Sequence, residues 1–277
     1  MESRKIFMKL INLVDNTSKH PNLGSEHGFS TYIETKHHHL LFDLGHTDLF
    51  ARNAIELKVD LGSVDTVIIS HGHYDHGGGL KTFFELNAKG KVYIHYEAFN
   101  PHYSIKIDQL KPIGIDPIYR DHPQVVLVHD YPYKIDDHMV LYGDIHQTSF
   151  APSGNAVLLE ENHPDTFHHE QNLIIYENNQ CVLMAGCAHN GIVSIVEQIQ
   201  AQLKQPITHV FGGFHLYNLT MDTIEDPTII HQIALRLKAS GAQYHTGHCT
   251  GLRPYAILKD FLKDQIDYFD VGCQITI

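Results

Sequence analysis

Short apolar runs dominate this chain, and they alternate with stretches in which apolar residues return every three or four positions. The partly alternating run at 6–14 predicts a first strand. Residues 28–34 and 40–42 predict two more, joined by a polar turn carrying Lys36-His37-His38-His39, which reads as a hairpin tip rather than a metal site. Over 49–57, Leu49, Phe50, Ala54 and Leu57 can share one helical face. The compact β-branched run at 66–70 predicts a buried strand, followed by a histidine-rich loop and a helical pattern at 80–86. Residues 92–95 predict a short strand. Beyond the middle of the chain, 173–177 and 181–185 flank Asn178-Asn179 as a hairpin would. A helix is predicted at 192–203 and a buried strand at 209–211. Asp226-Pro227 and Gly241 bracket a helix at 228–239 in the order that helix ends favour. Residues 255–262 predict a last helix and 270–277 a terminal strand.

The segment 101–133 breaks the pattern. Pro101, Pro112, Pro117, Pro123 and Pro132 punctuate it, so it is expected to be an irregular insertion, either a lid beside a site or an excursion away from one.

The densest chemistry lies in His71-Gly72-His73-Tyr74-Asp75-His76, directly after the apolar run Val67-Ile68-Ile69. Three imidazoles and a carboxylate within six residues are all competent ligands for zinc or a similar divalent ion. Gly77-Gly78-Gly79 then permits a tight turn. A strand ending in a loop of ligands is a common way for an α/β scaffold to present chemistry.

His71-x-His73-x-Asp75-His76 resembles the signature of the metallo-β-lactamase superfamily. Further matching segments are Glu26-His27-Gly28-Phe29-Ser30, Leu41-Phe42-Asp43-Leu44-Gly45 and Gly186-Cys187-Ala188-His189-Asn190-Gly191. Gly212-Gly213-Phe214-His215-Leu216 and Gly247-His248-Cys249-Thr250-Gly251 follow in the family's order. Together they resemble the branch labelled dihydropterin ribofuranosylaminobenzene phosphate synthase-like. The resemblance implies an α/β fold, a four-layer αβ/βα sandwich in one domain over 1–277, with metals at one edge of two central sheets. It assigns His71 and His73 to a first metal and Asp75 and His76 to a second, with Asp75 also orienting the attacking nucleophile. His248 matches the histidine that completes the second site.

A third ligand for the first metal has to come from elsewhere, and His189 is the candidate because its segment leaves a strand at the same sheet end. Cys187, two residues earlier, is either a thiolate ligand or a packed small residue, and we expect the latter. Many superfamily members have a bridging aspartate here, so the filling of the second site is open. His215 is a candidate to contact substrate or act as a general acid. Asp43 resembles the carboxylate that fixes a ligand histidine from behind. Glu26, His27 and Phe29 are candidates for the site mouth, whereas His163, His168 and His169 are expected at the surface.

Composition narrows the function. A formal charge of −12 over 277 residues argues against a general nucleic-acid binder. No apolar run approaches bilayer length, and the first residues lack the long apolar core of a signal peptide. Cys181, Cys187, Cys249 and Cys273 form no Cys-x-x-Cys spacing, which fits a reduced, cytoplasmic setting. The expected protein is a metal-dependent hydrolase of a small molecule. It would use one or two divalent ions, zinc before iron or manganese, and act on an ester bond, with a phosphoester first. The alternatives are the branch-label transfer of a dihydropterin pyrophosphate, lactone or β-lactam hydrolysis, and a non-catalytic metal or ligand sensor. No pattern encodes the oligomeric state.

Overall fold

Alternation within strands decides this architecture. In the strand Lys9–Val14, Ile11 and Leu13 face one apolar cluster while Leu10 faces another; in Asn172–Glu177, Ile174 divides from Leu173 and Ile175 in the same way. A strand apolar on both faces must be covered on both, and the sheets here are sandwiched accordingly. The computed structural model describes residues 8–106, 109–219 and 221–277.

Two seven-stranded sheets form the centre. The first runs in the order Gln274–Thr276, Lys9–Val14, Ser30–Glu34, His39–Phe42, Thr66–Ile68, Lys91–His95, Val125–Val128. The second runs Ile266–Tyr268, Gln243–Thr246, His209–Gly212, Gln180–Met184, Asn172–Glu177, Met139–Tyr142, Tyr133–Lys134. Leu10, Ile33, Leu40, Phe42 and Ile68 of the first sheet share one buried cluster with Leu141, Leu173, Ile175, Val182 and Phe211 of the second. Helices Leu49–Glu56 and Leu80–Leu86 cover the outer face of the first sheet, and Ile192–Gln202, Pro227–Ser240 and Leu252–Leu262 pack with the second. The result is the expected αβ/βα sandwich.

Local signals were obeyed where turn or cap chemistry was strong. Asn178 and Asn179 both adopt positive φ, 47° and 66°, as the tight hairpin demands. The Asp226 side chain accepts a hydrogen bond from Thr228 N at 2.7 Å, Pro227 opens the helix, and Gly241 closes it at φ 76°.

Other expectations need correcting. Residues 6 and 7 lie outside the described residues, and the first strand is described from Lys9. The strand expected at 270–277 is shorter, Gln274–Thr276 pairing with the first sheet after a turn at Gly272, φ 83°, and a further strand that the sequence did not predict, Ile266–Tyr268, joins the second. Within 101–133 the described residues carry more regular structure than expected. His102–Lys106 and Gln109–Pro112 form a hairpin, Val125–Val128 extends the first sheet, and the prolines fall at strand ends and turns. The hairpin belongs to a separate four-stranded sheet with Leu158–Glu160 and His163–Pro164.

Three parallel strands of the second sheet, Gln180–Met184, His209–Gly212 and Gln243–Thr246, lead into Cys187-His189, His215 and His248. In the first sheet Thr66–Ile68 is parallel to both neighbours and leads into His71. The candidate chemistry therefore sits at the carboxyl ends of parallel strands, where loops are free to converge.

Candidate metal centre

The strand Thr66–Ile68 delivers Ser70 and His71 fully buried. His73 is the N-cap of the short helix Tyr74–Gly77, which turns Asp75 and His76 inward. The loop after Gln180–Met184 approaches closely: a Cβ on Gly186 would lie 2.6 Å from Ser70 Cβ and 3.2 Å from His71 Nδ1, so only glycine fits between the two ligand loops. Glu170 fastens the His189 turn, accepting from His189 N at 2.7 Å and Asn190 N at 2.9 Å. The His248 turn is held the same way, its N–H donating to Asp15.

Two ligand groups result. The donor atoms of His71, His73 and His189 lie within 4.8 Å of one another, with His71 Nε2 3.0 Å from His73 Nδ1. Asp75, His76, Cys187 and His248 form the second group on the same criterion. There His76 Nε2 is 3.3 Å from His248 Nε2 and 3.2 Å from Cys187 Sγ, and Asp75 Oδ2 is 3.4 Å from His248 Nε2. All six sequence-predicted ligands are brought together, and the Cys187 sulfur lies among them.

Hydrogen bonds behind the rings show that these groups fit a cation. Ser70 donates its N–H and its hydroxyl to Asp43 at 2.7 and 2.8 Å, so its oxygen accepts from His71 Nδ1 at 2.9 Å. His76 Nδ1 donates to Asp43 Oδ2 at 2.7 Å, His189 Nδ1 to Asn155 Oδ1 at 2.9 Å, and His248 Nδ1 to Asn16 Oδ1 at 2.9 Å. A neutral ring that donates outward through Nδ1 keeps its Nε2 lone pair facing inward for a metal. The His189 Nε2 is buried without a hydrogen-bond partner, which suits a metal-ligand atom.

The charges agree. Burial holds the imidazoles of His71, His73 and His189 well below the usual histidine range, so they are neutral donors. Burial also opposes a charge on His76, but Asp43 and Asp75 outweigh it and raise the group to about 9. Two carboxylates beside one ring call for positive charge at that place. Burial alone would raise Asp75, yet His76 and His27 hold it well below the usual carboxylate range.

Above the two groups opens a pocket of about 270 Å³. His27 and His215 line it with Asp75, Cys187, His189 and His248. His27 Nε2 lies 3.2 Å from Asp75 Oδ2, and the His215 ring centre is 4.2 Å from that of His189.

Two other expectations for the mouth are not met. Glu26 turns away, because its carboxylate accepts from His46 N, Thr47 N and Thr47 Oγ1 at 3.0, 3.0 and 2.6 Å. Phe29 is 1 % exposed and packs beneath the ligands against Phe42, His76 and His248, as apolar flooring. His163 and His168 are at the surface as expected, but His169 is fully buried, drawn in by Asp165 and the Gly72 N–H. His38 of the polar turn pairs with Asp65 at 3.0 Å and Asp136 at 2.6 Å, away from the centre.

Sequence reasoning missed Asn16, Ser70, Asn155, His102 and Asp165 around the ligands, and Lys106 and Lys111 in the pocket wall. Only Ser70 carried a usable signal, being adjacent to His71. The hairpin register supplies the rest of the wall: Ser104 pairs with Lys111 and Lys106 lies two positions along, so all three share the face that lines the pocket.

Comparison with known proteins agrees with this geometry. The chain is 29% identical over 273 residues to an uncharacterized protein of Methanocaldococcus jannaschii, covering 96% of this chain and 98% of that one. It is 25% identical over 267 residues to the 7,8-dihydropterin-6-methyl-4-(beta-D-ribofuranosyl)-aminobenzene-5'-phosphate synthase of the same organism, covering 90% and 89%. The crystal structure of Tm1679, described as a metal-dependent hydrolase of the β-lactamase superfamily, superposes with a TM-score of 0.83 at 29% identity, covering 98% of this chain and 99% of that one. The sequence profile of the metallo-β-lactamase superfamily matches residues 23–189, more than half of the chain. The chain belongs to the metallo-β-lactamase superfamily.

Proposed function

We propose that this protein is a metal-dependent hydrolase of a small phosphoester. The carrying observation is the pocket wall: in a chain of net charge −12, Lys106 and Lys111 stand on one hairpin face above the ligand groups. Neither makes an ion pair with a described residue. Two cations at the mouth of a histidine-rich centre suit a phosphate group. Ile113, Val157, Leu158 and Leu219 supply an apolar side for the organic part of the substrate.

His71, His73 and His189 would hold a first ion, and Asp75, His76 and His248, with Cys187, a second; the nitrogen and sulfur donors favour zinc. Such ions, when bound, supply Lewis acidity and an activated water. The chain's own part is positioning. Asp75, ionised and braced by His27, orients the nucleophile; His215 faces the pocket beside His189 and donates a proton to the leaving oxygen. Lys106 and Lys111 neutralise the phosphate as charge builds. The four unbridged cysteines support a reducing, cytoplasmic setting.

The similarity to the dihydropterin synthase favours one other reading, in which the same lysines receive a pyrophosphate leaving group. The test is metal analysis of purified protein, followed by a screen of phosphomonoesters, phosphodiesters, lactones and a dihydropterin pyrophosphate donor with its aminobenzene acceptor. Phosphoester turnover whose KM rises at least about tenfold in Lys106→Ala/Lys111→Ala supports our reading. Lactone turnover indifferent to both lysines overturns it.

A further inference from the structure

Five imidazoles face the two ligand groups, and four are anchored from behind: His71 by Ser70, His76 by Asp43, His189 by Asn155 and His248 by Asn16. His73 is the exception. Its Nδ1 faces His71 Nε2 at 3.0 Å on the ligand side, while its Nε2 is buried without a partner. Buried polar atoms without a partner are rare enough to require a reason.

Behind His73 lies a second buried cluster, formed by His102, Asp165 and His169. Its donor atoms and that of His73 fall within 4.8 Å of one another, which by distance alone would suit a third metal. The hydrogen bonds argue otherwise. His169 Nδ1 accepts from Gly72 N at 3.0 Å, so the proton of the neutral ring is on Nε2, which donates to Asp165 at 3.2 Å. A protonated nitrogen has no lone pair for a metal.

The same logic assigns His102. Its Nδ1 is 3.1 Å from Asp165 Oδ2, and an ionised carboxylate only accepts, so the ring proton sits on Nδ1. His102 Nε2 is then a lone-pair acceptor, and it too is buried without a partner. On His73, engagement of Nδ1 by a metal leaves the proton on Nε2, a donor without an acceptor. The two rings are T-shaped with centres 5.7 Å apart. Gly72 makes the approach possible, because a Cβ there would lie 2.6 Å from His102 Nε2.

We propose that His102 is the positioning residue for the first metal ligand: its Nε2 accepts the His73 Nε2–H through one buried water, and Asp165 with His169 holds it in that tautomer. This rests on the metal centre proposed above. It gives all five ligand histidines an outer partner, the arrangement that fixes ring orientation and raises ligand basicity.

The test measures zinc affinity by competition with a chromogenic chelator, together with the melting temperature of the metal-free protein. His102→Phe should weaken the tighter zinc equivalent about 10–100-fold while leaving the other in place. His102→Gln should recover most of the loss, because a carboxamide can accept from His73 through oxygen and donate to Asp165 through nitrogen. Wild-type zinc affinity in a folded His102→Phe, with His73→Ala losing the tighter equivalent, overturns the proposal alone. If His73→Ala itself keeps both equivalents, the metal-centre reading fails instead. Should His102→Phe not fold, nuclear magnetic resonance of the zinc-loaded wild type decides. A downfield, slowly exchanging Nε2–H on His73 supports the proposal, and one in free exchange with water overturns it.

Discussion

Asp75 lies where His27, His76 and His248 converge, at 3.2, 3.6 and 3.4 Å from its Oδ2. Such a carboxylate is ionised by its neighbours, and its proposed work is on the nucleophile and the second ion. Asp75→Ala should therefore lower kcat by about 10²–10⁴-fold, with the melting temperature of the metal-free protein little changed. A variant turning over at the wild-type rate would make Asp75 structural. Cys187 poses a sharper question. Read from the chain, a packed thiol was expected, but the sulfur stands 3.2 Å from His76 Nε2 within the second ligand group. Burial raises its pKa in the absence of a cation, so a metal has to displace the proton. Cobalt-substituted protein should show a sulfur-to-metal charge-transfer band that disappears in Cys187→Ser. Absence of the band in wild type would return Cys187 to the role of a packed residue.

At the scale of elements, the informative contrast is between ends and faces. The Pro227–Ser240 helix was legible at both ends because caps are local chemistry: Asp226 accepts one of the free N–H groups, and Gly241 adopts φ 76°. No atom lies within 4 Å of a Cβ built on Gly241. Gly241→Ala should thus cost about 1 kcal/mol of stability through backbone strain alone, with metal content and kcat unaltered. Denaturant unfolding checks this, and a loss well beyond that size would mean that the glycine serves packing as well. The His102–Lys106 and Gln109–Pro112 hairpin was not legible. Its prolines suggested irregular chain, yet Pro112 closes a strand in a sheet that forms a pocket wall. Which face of that hairpin carries Ser104, Lys106 and Lys111 is a matter of pairing register, which single-strand periodicity does not contain.

Across the whole molecule, burial of histidine away from the pocket contributes a pH dependence of its own. His245 is stacked on Phe211 at 4.3 Å between ring centres, and burial lowers it to about 4. His95, 3 % exposed, is lowered to about 4 for the same reason. In the unfolded chain both titrate near the ordinary value of about 6.5. Between those values the unfolded state binds the proton and the folded state does not. Their contribution is therefore fully present above about pH 6.5 and is lost as pH falls toward 4, on the order of 3 kcal/mol for His245. Urea midpoints measured with chelator present should drop less, or rise more, between pH 7 and 5 in His245→Phe than in the wild type, since the buried carboxyls of Asp15 and Glu170, raised to about 7, act in the opposite sense in both proteins. An identical slope in the variant would show that His245 is accessible to protons.

What the chain alone determined is whatever depends on neighbours in sequence. Period-two and helical patterns marked nine of the twenty strands and five of the six α-helices among the described residues, Asn178-Asn179 marked a hairpin, and six contiguous residues carried four candidate ligands whose donor types suit a divalent metal. His248 was reached only through resemblance and His189 through its place at the end of a strand, and folding brings them beside His76 and His71. Tertiary structure alone decided which polar side chains became anchors. Glu26 was taken by the backbone of residues 46 and 47, Asn16 and Asn155 turned to His248 and His189, and His169 left its expected place at the surface for Asp165. A buried imidazole or carboxamide is stable only where a partner of opposite hydrogen-bonding sense meets it, and that partner often lies many residues away in the chain. Residue type tells which bonds a side chain can make; only the packing of the two sheets tells which of them it does make.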